Sequence, residues 1–315
     1  MKNQCVVFCI GNAVADILAR PVDHLAPPGE SQRLEDVVIA PGGNCINTGI
    51  ALARQGVAVD ISTVIGGDRL GQFVRERVRA EGIDDSGLTV LPGAKTSISL
   101  VLVQANGERR FLHMRGASAN FSEQNLDWTK MAGARIVHYA SAFALPAFDG
   151  APLERTLRRA REMGCLTSMN ICWDVQARWL SLLRAALAHT DFIFPNQKEG
   201  QQLTGESDPF AIARGLRRLG VKTAIIKLGA AGCFVDGPEG DFISPGFAVD
   251  PVDTTGAGDC FAAAFLAAIC RGLGHAEAAT YANAAGALST LGMGGADSAP
   301  TSAEIEEFRR RYVPQ

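Results

Sequence analysis

Hydrophobic and polar positions along the chain follow two periods in turn. Short β-branched and apolar runs at 6–10, 59–65, 135–139, 165–169, 192–194 and 223–227 predict strands. Helical periodicity over 44–55, 69–80, 151–163, 180–188, near Lys198 and over 210–219 predicts the helices between them. Strands that alternate with helices imply a mostly parallel sheet with both faces covered. The expectation is an α/β fold of three αβα layers, in a single domain over 1–315. Two regions break the alternation, at about 12–40 and 95–115, where β-rich runs have no helix between them. In the second, 96–103 and 109–114 flank Asn106-Gly107, which supplies the positive φ values of a tight hairpin turn. Together the two regions predict a small antiparallel sheet, a lid on the main domain. From 256 to 291 the chain is helical and rich in alanine and glycine.

Composition narrows the classes. A chain of 315 residues with 47% hydrophobic and 20% charged residues can bury a core without disulfides or metals. A net charge of −3 argues against a nucleic-acid binder that works through a broad basic footprint. No run reaches the ~18 apolar residues of a membrane span, and the first residues lack the pattern of a signal peptide. The expectation is therefore a cytoplasmic protein without a membrane or nucleic-acid partner. The eight cysteines form no C-x-x-C pair and the five histidines no H-x-x-x-H pattern, which gives no metal signature. Cysteines within apolar stretches read as small buried hydrophobes. Glycine is in excess, 34 residues, with no G-x-y period. The excess marks turns, close packing, or backbone that approaches a ligand.

The sharpest chemistry lies at Asp253-Thr254-Thr255-Gly256-Ala257-Gly258-Asp259, directly before the apolar run that starts at Cys260. A helix that begins at Ala257 or Gly258 presents unpaired N–H groups and the positive end of its dipole. Glycines let an anion approach those groups. Two glycines, two threonines and two aspartates exceed what a plain helix cap needs.

This heptapeptide resembles the C-terminal signature of the ribokinase-like (PfkB) carbohydrate kinase family. Pro41-Gly42-Gly43-Asn44-Cys45-Ile46-Asn47 resembles its N-terminal signature, Asn196-Gln197-Lys198-Glu199 its N-x-x-E motif, Gly11 to Asp16 its substrate-binding aspartate segment, and Lys227-Leu228-Gly229-Ala230-Ala231-Gly232 its nucleotide loop. The matches run in family order over essentially the whole chain. The resemblance implies a ribokinase-like fold and ATP-dependent transfer of the γ-phosphoryl group to a primary hydroxyl of a sugar or sugar-like alcohol. It implies Asp259 as base and the N–H groups of Gly256, Ala257 and Gly258 as anion hole. Asp16, Gly42, Gly43, Asn47 and, more weakly, Asn44 and Asn170 would meet the sugar. Asn196, Glu199, Lys227, Gly229, Gly232 and Asn283 would serve ATP, with Glu199 near Mg2+. A monovalent cation, K+, would take oxygens from Asp253, Thr255 and groups near Ser289, Gly294 and Ser298. The exposed edge and face of the lid suggest a homodimer.

From the residues alone, Asn44 and Asn170 could equally be satisfied turn residues; a buried capping role is the alternative for Asn283, and a plain turn for Gly229 and Gly232. The segment 168–174 lacks the D-x-N-x-R pattern of 2-keto-3-deoxygluconate and fructose kinases, so no arginine clamp is evident there. Arg33 and Arg115, in or beside the lid, could take that part. A nucleoside kinase of the same fold and a sugar-binding regulator without catalysis are the alternatives. The absence of G-x-x-x-x-G-K-[ST], G-x-G-x-x-G and G-x-S-x-G argues against P-loop kinases, dinucleotide enzymes and α/β-hydrolases.

Overall fold

The computed structural model describes residues 6–105 and 109–312. Cys5 and the Asn106-Gly107 turn lie outside them. The strands are β1 (Val6–Ile10), β2 (Val14–Arg20), β3 (Asp36–Gly42), β4 (Ala58–Gly66), β5 (Leu88–Leu91), β6 (Ser97–Val103), β7 (Arg109–Met114), β8 (Ile136–Ala142), β9 (Leu166–Ile171), β10 (Phe192–Phe194), β11 (Thr223–Lys227), β12 (Cys233–Gly237) and β13 (Gly240–Ser244). The helices are α1 (Asn44–Arg54), α2 (Arg69–Ala80), α3 (Trp128–Gly133), α4 (Ala151–Glu162), α5 (Trp179–Leu187), α6 (Gln197–Thr204), α7 (Pro209–Arg218), α8 (Ala257–Cys270), α9 (His275–Ser289) and α10 (Ser302–Arg311).

Strand β1 shows why the main sheet needs helices on both sides. Phe8 and Ile10 join one core, while Val7 and Cys9 face the other side, and all four are buried. A strand buried on both faces belongs to the middle of a parallel sheet. The nine-stranded order is β13-β12-β11-β10-β9-β8-β1-β4-β5, parallel from β5 to β11. Helices α4 to α7 pack on the Phe8 face. Helices α1, α2, α8, α9 and α10 pack on the other. Residues Cys260 to Ile269 of α8 are all buried, and their small side chains let α8 lie tightly against α9 and the sheet.

The second sheet has the order β3-β2-β6-β7. It departs from the antiparallel expectation at its centre, where β2 and β6 run parallel. The cause is topological. Strand β2 continues from the carboxyl end of β1, and β6 follows the carboxyl end of β5. Those two strands point the same way in the main sheet, so their continuations do too. The outer pairs β2–β3 and β6–β7 are antiparallel. The other unexpected elements are β5, the edge hairpin β12–β13, α3 and α10. Among the described residues no helix is long and apolar enough to cross a membrane.

Candidate active site

Asp259 is the third residue of α8 and is buried. Gly256 caps that helix in the left-handed region, φ 73°. A Cβ there would sit 2.6 Å from Gly295 Cα, so only glycine lets the two loops meet. Three asparagine amides converge on the Asp259 carboxylate. Asn44 and Asn170 donate to Oδ1 and Asn47 to Oδ2, each at 2.9 Å. Asn44 and Asn47 stand three apart at the start of α1 and so share one helix face. Asn170 lies near the end of β9, at the carboxyl edge where open α/β sheets place their ligands. Its Oδ1 accepts from Lys227 Nζ at 2.9 Å. Burial pushes the Asp259 carboxyl up, against the pull of the asparagine amides and of Lys227.

The resemblance assigned Asn47 and Asn170 to the substrate. In the structure both amides donate to Asp259. Asn47 keeps a buried, unpaired Oδ1. Asn12, inside the Gly11–Asp16 segment but not singled out there, supports the cluster. Its Oδ1 accepts from the Asn44 backbone N–H at 2.9 Å and from Ser141 Oγ at 2.8 Å, tying the end of β1 to the start of α1.

Asp16 lies on the lid strand β2 rather than on the first strand of the main sheet. It is nearly buried, and burial raises its carboxyl to about 6, opposed by Ser99 and assisted by the neighbouring charges of Asp253 and Asp259. Gly42 stands on β3 two residues beyond Ala40, the ladder partner of Asp16, and a Cβ there would sit 1.9 Å from Asp16 Oδ2. Gly43, at φ 87°, would drive a Cβ to 2.6 Å from the Asn12 carbonyl.

On the far side of Lys227 a cleft of about 350 Å³ opens between the loops after β11 and β13 and the starts of α8 and the loop before it. Lys227, Gly229, Gly232, Thr254, Ala257, Gly258 and Asn283 line it, with Gly246, Phe247, Val249, Pro251, Phe261, Gly286, Ala287 and Thr290 as additions that no motif pointed to. Gly232 is there for packing, since its Cβ would meet the Ser244 carbonyl at 2.2 Å. The Asn283 amide is engaged with the Ser244 carbonyl and hydroxyl and the Pro245 carbonyl, so its capping role is real even though it borders the cleft. The Ala257 N–H closes a turn to the Thr254 carbonyl at 3.3 Å, which reduces its availability as an anion donor.

Asn196 and Glu199 form a reciprocal capping box on α6, with Asn196 Oδ1 accepting from the Glu199 N–H at 2.9 Å and Glu199 Oε2 from the Asn196 N–H at 2.7 Å. Burial pushes the Glu199 carboxyl up, while Lys227 and the Asn196 N–H hold it down. Its capping bond uses Oε2 and not Oε1. Asp174, in the segment that lacks the arginine clamp, accepts from the backbone of Gln176, Arg178 and Trp179 and shapes the start of α5.

The expected monovalent-cation ligands are engaged with one another. Asp253 Oδ1 accepts from Arg109 and from the Thr255 N–H and hydroxyl, and Oδ2 accepts from the Gly294 N–H at 2.9 Å. Ser298 donates to the Gly294 carbonyl and Ser289 to the Gly286 carbonyl. Among the described residues no group of three His, Cys, Asp or Glu side chains could hold a metal ion.

The family model for pfkB family carbohydrate kinases matches residues 6–302. The chain belongs to this family. It is a sugar kinase of a family that uses ATP. It is 30% identical to fructokinase-1 of Zea mays over 84% of this chain and 87% of that one. It is 29% identical to the ribokinase of Haemophilus influenzae over 91% and 93%. Its fold matches the Thermotoga maritima ribokinase at TM-score 0.83, with 28% identity, over 97% of this chain and 99% of the other. It also matches, at TM-score 0.85 and 26% identity over 98% and 100%, an E. coli protein described as a ribokinase II, solved with ATP and Mg2+.

Proposed function

We propose that this pfkB-family kinase transfers the γ-phosphoryl group of ATP to a primary hydroxyl of a sugar or sugar-like alcohol, with Asp259 as the base. The observation that carries the reading is the buried Asp259 carboxylate at the start of α8, oriented by three amides and flanked by Lys227. A carboxyl raised by burial is a better proton acceptor than a solvated one. The amide N–H groups that donate to both of its oxygens counter the effect of burial and favour the ionised form relative to an unpaired buried carboxyl.

The cleft supports ATP as donor. Phe247, Val249, Pro251, Phe261 and Ala287 give it apolar walls that suit a purine, and its inner end reaches Lys227, Ala257 and Gly258 at the start of α8. Charge that grows on the moving phosphoryl group would be met there by fixed dipoles and one ammonium group. Glu199 fits Mg2+ as a single carboxylate with a free oxygen, since this ion keeps most of its waters and phosphate ligands. Mg2+ would neutralise phosphate charge. Asp16, on the lid, would accept hydrogen bonds from two sugar hydroxyls while Gly42 leaves room for it.

The test is an ADP-release assay over pentoses, hexoses, keto-deoxy acids and nucleosides, followed by Asp259→Asn with the best acceptor. The expected loss in kcat is about 10²–10⁴-fold with little change in the KM for ATP. A near wild-type kcat removes Asp259 from the base role.

A further inference from the structure

The loop that begins the anion hole carries a buried carboxylate, and its counter-charge comes from an unexpected place. Arg109 is the first residue of lid strand β7, and it pairs across the ladder with Val103. In this ladder 109, 111 and 113 share a face, and His113 pairs through Ser99 with Asp16. Arg109 therefore stands on the same face of the lid as Asp16. Its guanidinium reaches three consecutive side chains of the loop. Nη1 bonds Asp253 Oδ1 and Thr255 Oγ1, and Nη2 bonds Thr254 Oγ1. Both partners are well covered, with side-chain exposures of 17% for Arg109 and 6% for Asp253. A second inner-face arginine, Arg20 on β2, contacts Met293 Sδ at 3.2 Å in the facing loop.

This arrangement does not fit a dissolved cation at Asp253. A K+ ion there would need carboxylate and hydroxyl oxygens that the guanidinium, the Thr255 groups and the Gly294 N–H already engage. A buried carboxylate needs a fixed partner, and arginine is always charged and offers a planar fork of donors. We propose that Arg109 is the resident cation of the Asp253–Thr255 loop, a positioning residue that lets the lid hold the anion hole in shape and frees the kinase from monovalent cations. The link to the nucleotide is direct, because Thr254 lines the cleft and the same loop runs into Gly256 and α8. The proposal rests on the assignment of that cleft to ATP.

Calorimetric titration with ATP·Mg2+ and thermal unfolding, both in choline, sodium and potassium chloride at one ionic strength, test it. Wild type should hold its ATP Kd within about twofold across the three salts. Arg109→Gln should weaken ATP roughly tenfold in choline chloride, the loss of one charge-assisted contact, and recover most of that affinity and its unfolding temperature in potassium chloride. Arg109→Lys, which keeps the charge, should stay nearer wild type and covers the case in which Arg109→Gln folds poorly. A wild-type Kd that improves roughly tenfold in potassium chloride overturns the proposal. So does an Arg109→Gln protein that binds ATP like wild type in choline chloride. Failure of the sugar-kinase reading would show elsewhere, as intact ATP binding with no acceptor turned over in the ADP-release screen.

Discussion

At the residue scale, the proposed acceptor side of the site turns on Asp16 and the nearby Gly42. In that role an ionised Asp16 would accept from two hydroxyls, and each such bond to a charged group is worth roughly 1.5–3 kcal/mol. Once protonated, the carboxyl loses acceptor capacity. With Asp16 raised to about 6, kcat/KM for the acceptor should climb as pH rises through about 6 and then level off. In Asp16→Asn that limb should disappear, and any remaining acid limb belongs to Asp259. A limb of unchanged position and depth in Asp16→Asn would remove Asp16 from acceptor binding. Gly42→Ala puts a methyl group 1.9 Å from Asp16 Oδ2 and must displace it, so the acceptor KM should rise about tenfold or more with the ATP KM unchanged. Much at this scale was legible in the sequence, since local glycine-rich motifs carry Asp259, Gly256 and Gly42. The amide clamp was not, because Asn44 and Asp259 are 215 positions apart and only the fold brings them together. Arg109 escaped for the same reason. It pairs over 144 positions, and an arginine on a polar strand reads as a solvated surface group.

At the element scale, two helix starts carry the proposed chemistry, and each serves its own helix as well. The capping box on α6 illustrates the double duty. Glu199 closes the helix through Oε2, which leaves Oε1 for the proposed Mg2+ role. Glutamine can replace glutamate in a capping box. Glu199→Gln should therefore unfold within about 1 kcal/mol of wild type, while its half-saturating Mg2+ concentration rises about tenfold or more. An unchanged Mg2+ dependence, measured by initial rates at fixed ATP, would leave Glu199 with the capping role alone. The regular elements were readable because their periods are long and uninterrupted; α2 runs over Arg69–Ala80 as its pattern predicts. The hairpin β12–β13 was not, since each strand has only five residues and glycine ends one and begins the other. The parallel pairing at the lid's centre was hidden as well. Strand direction there is inherited from β1 and β5, and no local pattern encodes it.

At the scale of the whole molecule, the lid presents two chemically different faces. The register places the polar Asp16, Ser99, His113 and Arg109 on the side that meets the site, together with the apolar Phe111 and Val38. On the other side Ile39, Ile17, Leu100 and Leu112 form one continuous row across all four strands, with Met114 and Val37 in the rows beside it. Leu112 is 57% exposed, Val37 54% and Ile39 48%, so this row is uncovered in the monomer. An apolar sheet face with open edges at β3 and β7 is a liability unless something packs on it. We propose that a second copy of the same lid covers it, because two identical faces can bury each other about a two-fold axis. Leu112→Glu places a charge at the β7 end of that row, on the side away from the site. Light scattering should then give twice the chain mass for wild type and the single chain mass for the variant. The acceptor KM should rise with the loss of the dimer, since a lid without its backing holds Asp16 less firmly, while ATP affinity changes little. A wild-type protein of single chain mass at every concentration tested would instead leave the apolar row to a different partner and confine the lid's role to its own site.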